Sequence, residues 1–151
     1  MSVYQIVKNG DEVLREKALQ VREITPNILK LLNNMRDTMY ASNGVGLAAP
    51  QIGISKRVII VDAGDDYLEL INPEIIMSEG SQSDQEGCLS VPGYFGDVSR
   101  AHRVRIRALN REGEMIEIER EELAARAIQH EIDHLNGILF IDKATNLKVD
   151  E

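Results

Sequence analysis

Apolar residues recur along this chain with two different periods, and the switch between them divides it. Ile28, Leu31, Leu32, Met35 and Met39 repeat at helical spacing and predict a long helix whose apolar stripe faces a core. Thr25 suits its N-cap and Pro26 its first turn, where a missing backbone N–H costs nothing. Gly44 is the expected stop. Before this helix, Gly10 to Ala18 reads as a short helix or turn. Beyond it the pattern becomes that of strands: Arg57 to Val61, Leu68 to Ile71, Glu74 to Met77, Arg103 to Leu109 and Met115 to Ile118. Asn110-Arg-Glu-Gly113 reads as the turn of a hairpin joining the last two. A helical period then returns. At about 100° per residue, Glu122, Arg126, Gln129 and Asp133 share one polar stripe opposite Ala124, Ile128, Ile132 and Leu135, with Gly137 as the stop. Glu122 and Arg126 stand four apart and are expected to pair on that stripe. No Ser, Thr, Asp or Asn marks where this second helix begins. Strands grouped between two helices predict an α+β fold with antiparallel-rich sheets, in one domain spanning residues 1–151.

Composition narrows the class without naming an activity. The hydrophobic fraction of 43% and charged fraction of 28% are those of an ordinary globular chain. A formal net charge of -8 argues against broad binding to nucleic acid or anionic membrane. The one basic cluster, Arg100, Arg103, Arg105 and Arg107, alternates with apolar residues and reads as the solvated face of a strand. Lys8, Asp11 and Glu12 stand where a signal peptide needs its apolar run, and the single cysteine fits a reducing compartment, so a cytoplasmic location is expected.

The second helix carries the chemistry. His130-Glu131-x-x-His134 places two imidazoles one turn apart on one face, able to grip one metal ion with Glu131 beside them. Half a metal site needs another ligand, and the sequence contains only one further histidine and one cysteine. Glu86-Gly-Cys-Leu-Ser-Val-Pro92 sets Cys88 between a glycine and a Val-Pro-Gly turn, in a bent, loop-like segment from which a thiolate can point outward. Cys88, His130 and His134 make three protein ligands with a position left open, the arrangement of a catalytic site. A carboxylate that is no ligand but neighbours such a site, as Glu131 does, is placed to act as general base. As a support for the cysteine segment, Glu86 is expected to pair with Arg100.

Gly44-Val-Gly-Leu-Ala-Ala-Pro-Gln51 formally satisfies a dinucleotide-binding fingerprint, but a helix precedes it and Pro50 follows, so the strand and helix that fingerprint requires are missing. It reads instead as an extended loop whose glycines let another backbone approach, with Gln51 offering a neutral amide that donates and accepts.

These three stretches, in this order, resemble the three signature motifs of the peptide deformylases: Gly44 to Gln51, Glu86 to Ser90 and Gln129 to His134. The likeness extends over nearly the whole chain, through the early helix and Leu139-Phe-Ile-Asp142. It implies a fold of antiparallel sheets around a central metal-binding helix and an enzyme that removes the formyl group from the N-terminal methionine of nascent polypeptides, releasing formate. Carried over position by position, Cys88, His130 and His134 hold a divalent metal, Fe(2+) in the cell with Zn(2+), Ni(2+) or Co(2+) accepted in purified protein. Glu131 is the base. The Leu89 backbone N–H and the Gln51 amide receive the charge that develops on the formyl oxygen. Gly46 pairs with the substrate backbone, and Val45 and the segment Leu123 to Ile128 border the methionine pocket. The partners implied are formylmethionyl nascent peptides and the ribosome near its exit tunnel, although the stretch Lys143 to Glu151 is shorter than the ribosome-docking helix of some members. Two rivals remain open from the residues themselves. A His-Glu-x-x-His endopeptidase normally takes a third ligand from downstream, where no histidine follows His134; a non-catalytic metal module needs a fourth ligand and has no use for Glu131.

Overall fold

The computed structural model describes residues 3–149. Helix α1 spans Pro26–Ala41, and the Thr25 hydroxyl accepts from the Ile28 N–H as its cap. Ile28, Leu31, Leu32, Met35 and Met39 are all buried along one side. The helix ends at Ala41, three residues before the expected glycine. Asn43 takes the left-handed conformation at φ 56°, and the Gly44 N–H closes onto the Met39 carbonyl at 3.0 Å. Asparagine tolerates that region because its short polar side chain costs little there.

Strands β1 (Gly46–Ala48), β2 (Val58–Asp62), β3 (Tyr67–Glu79), β6 (Arg103–Leu109) and β7 (Met115–Glu121) form one antiparallel sheet in that spatial order. Its β2 explains the unbroken apolar run of the sequence. Val58 and Ile60 pack toward α1, whereas Ile59 and Val61 pack toward helix α2 (Glu122–Leu135), so both faces are covered. The two segments expected on either side of Asn72-Pro73 are one strand, β3, with a register shift between Ile71 and Glu74. Asn72 sits there at φ 53°, its side chain bonded to both backbone groups of Val21 at 2.8 Å. The Asn110–Gly113 turn does join β6 to β7, with the Asn110 carboxamide oxygen accepting from Glu112 and Glu114.

A second, three-stranded sheet of β4 (Gln82–Cys88), β5 (Val91–Arg100) and β8 (Thr145–Val149) went unanticipated. Cys88 therefore lies not in a loop but on the last residue of β4, paired with Val91 across the tight β4–β5 turn. Val91, Val98, Leu139 and Phe140 fill the small core beneath this sheet. The stretch after Lys143, read as a short tail, supplies β8, which pairs with β5; its last two residues lie outside the described ones.

Helix α2 packs against the five-stranded sheet through Ala125, Ile128, Ile132 and Leu135. It starts abruptly. Glu122 adopts φ 57°, its N–H donates to the His102 carbonyl and its own carbonyl accepts from Gln82 Nε2, which turns β7 directly into the helix without a side-chain cap. At the other end Gly137 is left-handed at φ 73°, as a helix stop requires. No helix among the described residues is long and apolar enough to cross a membrane.

Candidate metal centre and its pocket

The three sequence motifs meet at one place. Cys88 Sγ lies 3.3 Å from His134 Nε2, and one donor atom each from Cys88, His130 and His134 falls within 4.8 Å of the others. Two ligands sharing one tetrahedral ion, bound through sulfur and nitrogen at ordinary lengths, stand about 3.5 Å apart. The donor set therefore fits a metal ion as it stands, without rearrangement of the backbone. The rings of His130 and His134 meet edge to face with centroids 5.1 Å apart, as the single helical turn between them dictates.

The partners of each ring fix which nitrogen is offered. His130 Nδ1 is 2.9 Å from Glu86 Oε1, so the carboxylate holds the proton on that nitrogen and leaves Nε2 for the site. Burial pushes the His134 imidazole well below its usual range, keeping it neutral. A neutral ring is the form that ligates.

Glu86 is the hub behind these ligands. Arg100 donates to it through Nε at 2.7 Å and Nη2 at 2.9 Å, and Arg126 through Nη1. Burial raises the Glu86 carboxyl, but the hydrogen bonds from His130 and Arg100 outweigh it and hold it down at about 2. Arg100 also reaches Asp133 at 2.9 Å, which Lys143 approaches from outside at 3.0 Å. The expected Glu86–Arg100 pair is thus present. The expected Glu122–Arg126 pair is not: Glu122 is exposed at the helix start, while Arg126 is 5% exposed and turned to Glu86. The buried carboxylate of Glu86 on β4 outcompetes a solvated neighbour one turn away. Likewise Arg103, Arg105 and Arg107 do line a solvated strand face with glutamates opposite, but Arg100 is buried with Glu86.

Glu131 is 5% exposed, and burial pushes its carboxyl up to about 7. One oxygen, Oε1, has no hydrogen-bond partner among the described residues. The other lies against Gly46, where an added Cβ would come within 2.7 Å of it. Gly46 is thus required by close approach: any side chain there displaces the carboxylate. Gly44 stands in the same relation to the second motif, since a Cβ there would meet Leu89 Cδ1 at 3.1 Å.

Gln51 is almost fully enclosed at 2% exposed, rather than projecting from a loop. Its Oε1 accepts from the Ala48 N–H at 3.0 Å, and its Nε2 faces Ser90 Oγ at 3.2 Å and Cys88 Sγ at 3.7 Å. Ser90, wholly buried, was missed as a contributor; its only signal in the sequence is a small polar residue two after the cysteine.

In front of these groups opens a cavity of about 640 Å³. Val45, Gly46, Leu89 and Glu131 all border it, as do Leu123, Arg126 and Ala127 of α2. Ile128 does not; it is buried against the five-stranded sheet.

Comparison with known proteins adds an independent line. A family model described as polypeptide deformylase matches residues 3–150. A protein named peptide deformylase from Desulfitobacterium hafniense is 64% identical over 144 residues, covering 95% of this chain and 96% of that one. Its counterpart from Carboxydothermus hydrogenoformans is 63% identical over 147 residues, 97% of each. The crystal structure of peptide deformylase from Thermotoga maritima superimposes with a TM-score of 0.93 at 43% identity, covering 96% of this chain and 99% of that chain. A peptide deformylase from Synechococcus elongatus, solved in complex with actinonin, gives 0.91 at 41% identity, over 95% and 79%.

Proposed function

The chain belongs to the polypeptide deformylase family and removes the N-formyl group from nascent polypeptides; from that premise we propose that Cys88, His130 and His134 hold the metal and that Glu131, Gln51 and Leu89 carry the reaction. The observation that supports this most is the meeting of three ligand atoms within 4.8 Å beside a buried, half-unpaired carboxylate at the wall of an open cavity. The metal is Fe(2+) in the cell, with Zn(2+), Ni(2+) or Co(2+) able to replace it in purified protein, and the enzyme meets its substrates in the cytoplasm as they leave the ribosome. The endopeptidase reading is not favoured, because the family match covers almost the whole chain.

Held by Cys88, His130 and His134, a metal would supply Lewis acidity to an attacking water and to the formyl group. The remaining work falls to side chains. Strand β1 lies at the edge of its sheet, so Gly46 can take the substrate backbone in strand fashion while the first side chain enters the cavity beside Val45 and Leu123. Glu131, with a carboxyl pushed up to about 7, takes the proton of the attacking water and returns it to the departing amine nitrogen. The bond to Ser90 fixes the Gln51 amide, and its other N–H, now resting against the Cys88 sulfur, donates with the Leu89 N–H to the oxygen on which charge develops. Burial of Gln51 in advance means that little reorganisation is left for the reaction itself.

The test is a single assay. Purified protein, loaded anaerobically with Fe(2+), is offered a formyl-Met peptide and its unformylated counterpart. Formate appears from the first only; no formate, with metal shown to be bound, overturns the assignment.

A further inference from the structure

We propose that Arg126 is a positioning residue that couples occupancy of the substrate cavity to the metal ligand His130. The inference rests on the reading of Cys88, His130 and His134 as metal ligands.

Arg126 stands one helical turn before His130 and is, among the described residues, the only buried arginine that borders the cavity. Its Nη1 binds Glu86 Oε2, and the other oxygen of that carboxylate binds His130 Nδ1. Glu86 and His130 border the same cavity, and this one carboxylate links Arg126 to an imidazole aimed at the metal. Arg100 does not duplicate this role. It grips Glu86 through two nitrogens and also holds Asp133, and it has no part in the cavity wall. Glu86 stays anchored without Arg126, so the second guanidinium is not needed merely to keep the carboxylate in place.

The Arg126 side chain is also incompletely satisfied. Its Nε is buried with no partner among the described residues, and its remaining contact, Nη2 to the Gln82 carbonyl, is long at 3.4 Å. The guanidinium is thus held mainly by one bond to Glu86, and a substrate side chain packed against it restricts the motion left to it, which tightens an ion pair that already lies almost out of water. A tighter hold on Glu86 in turn fixes the His130 ring, and partners of this kind behind a ligand change metal affinity by about ten- to hundredfold when removed. Coupling between two sites is reciprocal, so a molecule that fills the cavity must raise metal affinity by the factor by which metal raises its own.

The experiment measures that factor without turnover. Metal affinity of the wild type and of Arg126→Met and Arg126→Lys is determined by chelator competition with Co(2+), with and without a saturating N-acetyl-methionyl amide, and the visible spectrum of the bound Co(2+) is recorded in each case. In the wild type the amide tightens Co(2+) binding at least threefold and alters the spectrum. In Arg126→Met, the amide still binds but changes neither quantity. Arg126→Lys, which keeps the charge, recovers part of the coupling. Equal tightening in the wild type and Arg126→Met overturns the proposal, since direct contact of the amide with the metal would then account for it. No tightening in the wild type overturns it too. Because no formate is measured, failure here leaves the deformylase assignment standing, and failure of the formate assay leaves this linkage measurable.

Discussion

Replacing Glu86 by Gln tests the electrostatic frame of the site most sharply, because size is kept and only charge and one acceptor are removed. The carboxylate receives Arg100 twice, Arg126 once and His130 once, inside a site where it is 7% exposed. A Gln side chain retains one oxygen and turns an NH₂ toward a guanidinium, donor against donor. Asp133 still neutralises Arg100, but Arg126 has no second acidic partner among the described residues. Removing one member of a buried ion pair costs about 3–5 kcal/mol. The titration of the carboxyl gives a similar figure, since lowering it from 4.5 to about 2 corresponds to about 3 kcal/mol of stability. For a chain of 151 residues, about 3 kcal/mol lowers Tm by ~6–12 °C.

The pH dependence gives the discriminating result. The folded-state carboxyl lies below its unfolded value, so its contribution is complete above about pH 4.5 and fades as pH falls toward 2. Urea unfolding of metal-free wild type and Glu86→Gln, followed by circular dichroism at pH 7, 5 and 3.5, is expected to show a gap that has begun to close at pH 3.5. Metal-free protein is used so that loss of the metal as its ligands take up protons does not enter. A gap of under about 1 kcal/mol at pH 7, or one that does not change down to pH 3.5, refutes the reasoning. In the metal-loaded form, the same change weakens metal binding about ten- to hundredfold, because His130 loses the acceptor that orients it.

Other outcomes follow from single contacts. Glu131→Gln retains metal, measured by elemental analysis, while formate release falls by about 10²–10⁴-fold, the usual range for losing a proton-transfer group. Gly46→Ala, whose Cβ would stand 2.7 Å from Glu131 Oε2, lowers kcat with metal content unchanged; wild-type kcat would mean that the carboxylate need not lie there. Gly137→Ala places a Cβ 2.6 Å from the Arg15 carbonyl at φ 73°, and thermal melts should show a loss of about 1–3 kcal/mol without a change in the site. Thr25→Ala removes the cap of α1 and costs about 1 kcal/mol in the same measurement, with KM unchanged.

Local signals were legible where burial is one-sided or a cap is obligatory. The stripe Ile28 to Met39 and the pair Thr25-Pro26 specify α1 because packing and the unpaired N–H groups at a helix start leave little choice. Strands β2, β3, β6 and β7 were legible from their apolar residues and the Asn110–Gly113 turn, whereas β1 lies in the stretch read as an extended loop. The second sheet was not. In β4 only Glu86 is buried, β8 is exposed throughout, and β5 is interrupted by Pro92, Gly93 and Gly96, so none shows the alternation by which a strand is recognised. These strands exist because they pair with one another over Leu139 and Phe140, a condition that no local window contains.

The same distinction runs through the site. His130, Glu131 and His134 are spaced by a helix, and a helix has one geometry, so their meeting could be read from four residues of separation. Cys88 could be added by the chemistry of the donor set. Arg126, however, had two carboxylates to choose from: Glu122, four residues away in sequence, and Glu86, forty away. Sequence spacing favours the near one, worth a few tenths of a kcal/mol on an exposed helix face. Folding brings up the far one in a buried setting, where leaving a guanidinium unpaired costs several kcal/mol. The larger magnitude wins, and it moves Arg126 from a surface ornament of the helix to the inner wall of the cavity, next to the carboxylate that orients His130.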